Sequence, residues 1–145
     1  MIFFSSALVL ELNNNIIMNN LIVDAARDKI FFTFISSGNI YTCSHENSKI
    51  NFEKLIILIN EFLKKNKSSL DDIGAIYVNR GPGSFAGIRN SLSTIKALFL
   101  TKKIDYYCFS FEDFKEYKNT KYVDVPHLCE KYKIKKNLIN PIYLS

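Results

Sequence analysis

Cysteine is scarce in this 145-residue chain, and the three present, Cys43, Cys108 and Cys129, cannot close a complete disulfide set. Thiols in a reducing cytosol are the simpler reading, which points to a cytoplasmic protein and away from a disulfide-stapled secreted scaffold. Long apolar runs are lacking too. The apolar opening, MIFFSSALVL at residues 1–10, is shorter than the about 20 residues that a bilayer span requires. No Lys or Arg precedes it, Glu11 and an asparagine cluster at 13–15 follow it, and no small-residue cleavage pattern appears, so it does not read as an export signal. Internal repeats are absent, as is any low-complexity tract longer than that asparagine cluster. Nor does one sign of charge dominate. The net charge of +5 divides into +1 over residues 1–114 and +4 over 115–145, whereas a nucleic-acid-coating domain spreads its excess over the body.

What is present is a core. Hydrophobic residues make up 48% and charged residues 23%, enough for one folded domain of ordinary size but too little chain for two full lobes. Met18 directly precedes NNLIVD, so residues 1–17 read as an appendage, 18–114 as the domain and 115–145 as a reduced remnant. Strands are predicted at Leu21–Asp24, Ile30–Ile35, Ile40–Cys43, Ala75–Val78 and Tyr106–Phe109, the second and third joined by the turn Ser36-Ser37-Gly38-Asn39. Helical spacing of Phe52, Leu55, Ile56, Ile59, Phe62 and Leu63 predicts an amphipathic helix over 52–66. A second helix follows Ser84 as N-cap, with Phe85, Ile88, Leu92, Ile95 and Phe99 along one stripe. A hairpin followed by helix-crossed strands implies an α/β fold, a mixed five-stranded sheet with helices packed on it. From Lys115 the pattern decays: Pro126 is expected to interrupt any helix, His127–Tyr132 to form a short turn or helix, and Lys133–Asn137 to be a solvated basic stretch.

The most informative segment is Asn79-Arg80-Gly81-Pro82-Gly83-Ser84-Phe85-Ala86-Gly87-Ile88-Arg89, at a strand-to-helix junction where loop amides can meet phosphate. Four readings compete. A Walker loop requires Gly-Lys-Ser/Thr after four spacers, which is absent. A hydrolase elbow requires glycine two residues either side of the nucleophile, where Ser84 has Pro82 and Ala86. A dinucleotide fingerprint fits Gly81, Gly83 and Ala86, but it belongs in the first turn of its unit, with an acid ending the next strand. Here the loop follows the fourth strand, and Asp105 begins the fifth. The structural reading has Gly81 and Gly83 permit a tight turn, Pro82 fix one φ and Gly87 allow close packing, with Arg80 and Arg89 flanking.

Taken jointly, Arg80 to Arg89 resembles the GPGSFTGLR signature of the bacterial TsaB family, relatives of the Gcp/TsaD glycoprotease-like proteins with an actin-like ATPase (ribonuclease H-like) fold. The resemblance continues through Ser93-Thr94-Ile95-Lys96-Ala97-Leu98, and it takes in Leu21 to Asp24, the helix at Asn51 to Leu63 and Leu70 to Ile76. It covers roughly 20–114, and Asn140-Pro141-Ile142-Tyr143-Leu144 is similar to the closing segment of the family. It implies a part in threonylcarbamoylation of the tRNA adenosine next to the anticodon (t6A). The implied role is a non-catalytic subunit that pairs with a TsaD-like catalytic subunit through helices, joined by a TsaE-like ATPase, with tRNA reached through the complex. A homodimer is an alternative assembly, and no cofactor, metal or catalytic residue is implied for this chain. Ile57, Leu58, Leu98 and Leu100 are the expected partner surface, as apolar residues in excess of what one core requires.

Three departures from the family pattern stand out. Asp24 is followed by Ala25 and Ala26 where the family carries two hydroxyl residues, which removes donors for a nucleotide phosphate; Ala86 replaces a threonine; and the second lobe is largely missing. Asp24 itself reads either as a phosphate-site or metal carboxylate or as a strand-end cap, and the lack of neighbouring acids favours the cap. Cys43 with His45 and His127 with Cys129 lack the usual zinc-ligand spacing and read as packing and surface residues. Lys131, Lys133, Lys135 and Lys136 read as an exposed basic face with tRNA phosphate as the competing partner. The enzyme-class alternative is a small nucleotide-binding actin-like or glycoprotease-like enzyme, and the third is a decayed remnant.

Overall fold

A continuous apolar run, Leu21-Ile22-Val23, is buried on both of its faces and so takes the centre of a sheet. This strand, β1 (Asn19–Asp24), belongs to a computed structural model that describes residues 19–143; the expected appendage at 1–17 lies outside the described residues. β1 pairs antiparallel with β2 (Lys29–Ser36), and β2 pairs antiparallel with β3 (Asn39–Glu46). Their two-residue loop places Ser37 at φ 50° and Gly38 at φ 81°, the twist that matches a tight hairpin. On its other side β1 pairs parallel with β4 (Ile73–Asn79), which pairs parallel with β5 (Asp105–Phe109), giving the order β3-β2-β1-β4-β5. Parallel neighbours need long crossovers, and helices supply them.

The first crossover differs from the single helix expected at 52–66. It is α1 (Lys49–Glu53), capped by Ser48, then α2 (Leu55–Lys65), with Lys54 at φ −117° and ψ 29° between them. The break changes the direction of the apolar stripe. Phe52 reaches the start of the next helix, where its ring lies 3.2 Å from the point a Gly87 Cβ would occupy, while Leu55, Leu58, Ile59, Phe62 and Leu63 fill the core shared with the sheet. The second crossover is α3 (Phe85–Lys102), whose N-cap Ser84 accepts from the Gly87 amide at 3.1 Å, and whose end is turned by Lys103 in the left-handed region. Its buried stripe runs through Ile88, Leu92, Ile95 and Leu98; Phe85, expected on that stripe, is 57% exposed because it precedes the first turn that faces the sheet.

The opposite sheet face is covered by the chain after β5. Pro126 does not interrupt a helix there: it sits in the first turn of α4 (Val125–Lys131), where a missing amide hydrogen costs nothing. Val125, Leu128 and Cys129 pack with Phe114 on Ile22, Ala75, Tyr77 and Phe109, forming a second core. Lys133–Asn137 is also more than a solvated stretch, because Asn137 donates its amide to the Tyr106 carbonyl at 2.8 Å and accepts from the Tyr106 amide through Oδ1 at 2.9 Å. That pairing closes the β5 edge. Among the described residues no helix is long and apolar enough to cross a membrane.

Candidate functional site

The glycine loop lies beyond the ends of β4 and β1, the side of an open α/β sheet where ligands usually bind. Here the protein itself fills that space. A Cβ on Gly83 would stand 2.1 Å from the Ala26 carbonyl oxygen, and one on Gly87 would stand 1.7 Å from that of Ala25. The Ser84 amide donates to the Ala26 carbonyl at 2.8 Å, so loop and strand end are in direct contact. Most of the loop amides are already bonded. Arg80 N donates to Phe109 O, Gly81 N to Asn79 Oδ1 and Gly87 N to Ser84 Oγ. Few donors are left for a phosphate.

Asp24 is fully buried, and both carboxylate oxygens are taken. Oδ1 accepts from the Ala26 amide at 3.0 Å; Oδ2 accepts from the Tyr122 hydroxyl at 2.7 Å and meets Arg27 Nε at 3.2 Å. The Arg27 guanidinium also lies over the Phe111 ring at 4.5 Å. Burial, and then the adjacent Asp24 charge, raise the Tyr122 phenol well above its ordinary value, so its hydroxyl remains a donor. These residues do not fit the nucleotide and metal of an actin-like ATPase: the carboxylate is saturated and the two following hydroxyls are absent. Asp24 is a strand-end brace. Sequence reasoning missed Tyr122, which lies 98 residues along the chain with no motif linking the two.

The signature divides into an inward and an outward half. Arg80, with 17% of its side chain exposed, pairs with Asp113 at 2.7 Å and donates to the Asn140 carbonyl at 3.0 Å. The Ile142 amide returns a bond to the Arg80 carbonyl at 2.7 Å, so the closing segment is laced to the loop. Gly81, Gly83, Ser84 and Gly87 also serve the junction, while Pro82 is exposed at its apex. Phe85 and Arg89 face outward, with Phe85 against Tyr143 at 4.7 Å and the Arg89 guanidinium 5.7 Å from the Phe85 ring. The expected partner surface is corrected in part. Leu58 and Leu98 are 4% and 6% exposed and belong to the core, because α2 and α3 turn those positions to the sheet. Ile57 at 52% and Leu100 at 67% are exposed, and so is Ile50 at 69%, which precedes the helix expected at 52–66 and lies on α1.

The two Cys/His pairs do not meet. Cys43 packs against the core beneath α2 and α3, Cys129 belongs to the core on the other sheet face, and among the described residues no three His, Cys, Asp or Glu side chains cluster as a metal site. Burial pushes the thiols of Cys43 and Cys108 up to about 11 and that of Cys129 up to about 12. The folded protein should therefore resist iodoacetamide at pH 8, with at most Cys43 labelling slowly, and urea should expose all three thiols. Rapid labelling of Cys108 or Cys129 in the folded state, read by peptide mass, would contradict this packing.

Residues 46–110 match the family model described as TsaD: tRNA N6-adenosine threonylcarbamoyltransferase. The tRNA threonylcarbamoyladenosine biosynthesis protein TsaB of Buchnera aphidicola subsp. Baizongia pistaciae is 35% identical over 83 residues, 50% of this chain and 38% of that protein. Its counterpart in Buchnera aphidicola subsp. Schizaphis graminum is 29% identical over 90 residues, 62% of this chain and 43% of that protein. The chain thus spans about two-fifths of the length of these curated relatives. The fold is similar to that of YeaZ from Pseudomonas aeruginosa, with a TM-score of 0.60 at 17% identity, covering 70% of this chain and 49% of that one. The signature loop, the sheet order and these sequence relatives agree: the chain is similar to TsaB proteins over the part of their length that it spans.

Proposed function

We propose that this chain is a non-catalytic subunit of the machinery that places threonylcarbamoyl on the tRNA adenosine next to the anticodon. It docks on a TsaD-like catalytic subunit, a TsaE-like ATPase joins the pair, and tRNA is reached through the assembly. The observation that carries this reading is a division of labour. The ligand side of the sheet is saturated by Asp24, Tyr122 and the glycine loop, while the helices on the other core present Ile50, Ile57, Phe85 and Leu100 to solvent. Exposed apolar side chains on helices suit a helix-to-helix interface. The names of the two Buchnera relatives support the pathway. In this reading residues 18–114 are the partner-binding lobe, and 115–143 are its cover rather than a second working lobe. Deleting the gene should remove most threonylcarbamoyladenosine from bulk tRNA, measured by nucleoside mass spectrometry. An unchanged level would mark the chain as dispensable to the reaction.

A further inference from the structure

On the sheet face opposite α2 and α3, a cleft of about 730 Å³ opens between the sheet and α4, within the range of about 300–1,000 Å³ common for small-ligand sites. The sheet contributes Asn20, Tyr77 and Tyr107; the helix and the turn after it contribute His127, Glu130 and Lys133. The two tyrosines are register partners on β4 and β5 with rings nearly parallel, 5.0 Å apart at 10°. Burial, followed by the neighbouring Tyr107, raises the Tyr77 phenol, so its hydroxyl stays a donor. Asn20 Oδ1 is buried without a hydrogen-bond partner, a costly state that a bound donor relieves once the carboxamide turns to the cleft. Lys131 and Lys136 are paired with Glu116 and Asp105, whereas Lys133 has no ion pair among the described residues.

This lining selects by its mixture. A purely anionic ligand meets Glu130, and a purely apolar one leaves Asn20 and both charges uncompensated. A planar ring with donors and acceptors on its edge and an anionic group at one end satisfies all of them. We propose that the cleft binds a nucleotide unit, its base against Tyr77, Tyr107 and Asn20 and its phosphate at Lys133. Glu130 accepts from an exocyclic amine. Free mononucleotides and single-stranded RNA present the same chemistry, and the cleft stands on the other side of the sheet from the proposed partner helices, so either proposal can fail alone.

The test is a calorimetric titration of the whole chain with the four nucleoside monophosphates, the matching nucleosides and a single-stranded hexaribonucleotide. Lys133 has φ +55°, so Lys133→Asn keeps a residue tolerant of that backbone while removing the charge. It should weaken monophosphate binding about tenfold, the worth of one charge-assisted hydrogen bond, and leave nucleoside binding unchanged. Tyr107→Leu, checked for native circular dichroism, should weaken both about tenfold, the worth of one base–aromatic contact. Saturation by the oligonucleotide alone assigns the unit to RNA, and saturation by monophosphates alone assigns it to a free nucleotide. No saturable binding by either up to millimolar concentration, or binding indifferent to both substitutions, overturns the proposal.

Discussion

Gly87→Ala is expected to cost the fold about 3 kcal/mol or more, the upper end of what overpacking a rigid site costs. The new methyl would stand 1.7 Å from the Ala25 carbonyl oxygen and 2.8 Å from its carbon, so it meets backbone, not the end of a mobile side chain. To admit it, the first turn of α3 must lift from the end of β1, which breaks the contact between the glycine loop and Ala25-Ala26. Phe52, 3.2 Å away, closes the remaining direction. Gly38 provides the comparison. A methyl there meets nothing within 4 Å, and only its φ of +81° is unfavourable, so Gly38→Ala should cost about 1 kcal/mol. Urea midpoints of the two variants and the parent separate close approach from backbone strain. A Gly87→Ala variant within about 1 kcal/mol of the parent would show that the helix start is not held against the strand as described.

Asp24→Ala should be the second most damaging change, at about 3 kcal/mol. The carboxylate lies at 0% exposure, and its removal strands the Ala26 amide and the Tyr122 hydroxyl in the interior. Arg27 adds little to the loss, since half of its side chain reaches water and can be hydrated there. Tyr122→Phe removes only one of these bonds and should cost about 1 kcal/mol. The double variant should cost less than the two single losses together, because both remove the same hydrogen bond. This distinguishes a brace from a ligand site. If Asp24 held magnesium and a nucleotide phosphate instead, Asp24→Ala would abolish ATP binding while leaving the midpoint near that of the parent.

The parts of the fold that local pattern controls were legible from residues alone. The Leu21-Ile22-Val23 run, the Ser37-Gly38 turn and the Ser84 cap each carry their own physical signal, and each stands where the spacing places it. Departures arise where distant parts of the chain decide. Lys54 breaks a helix whose apolar periodicity is continuous, because Phe52 is required at Gly87 and Leu55 at the sheet. Leu58 and Leu98 look like surplus apolar surface on a helical wheel, yet the sheet is broad enough to cover both. The packing of 115–143 was illegible for a related reason. Its order comes from contacts to β5, Arg80 and Asp24, such as those of Asn137, Asn140 and Tyr122, rather than from any periodicity of its own. At the glycine loop the residue types were legible and their target was not. The sequence carries no sign that Gly83 and Gly87 face the backbone carbonyls of Ala25 and Ala26.

If the exposed helix faces dock on a TsaD-like catalytic subunit, as proposed, the two proteins should form a complex that depends on those faces. The most direct measurement is the dissociation constant for the TsaD-like protein of the same organism, with the parent chain and with the Ile57→Asp/Leu100→Asp variant. Both positions are more than half exposed, so the variant should fold like the parent. The parent should form a complex at micromolar concentration or tighter, and the variant one at least tenfold weaker, since a charge buried at an apolar interface costs more than about 1.4 kcal/mol. No complex with the parent, or equal affinity for parent and variant, would contradict the proposed docking.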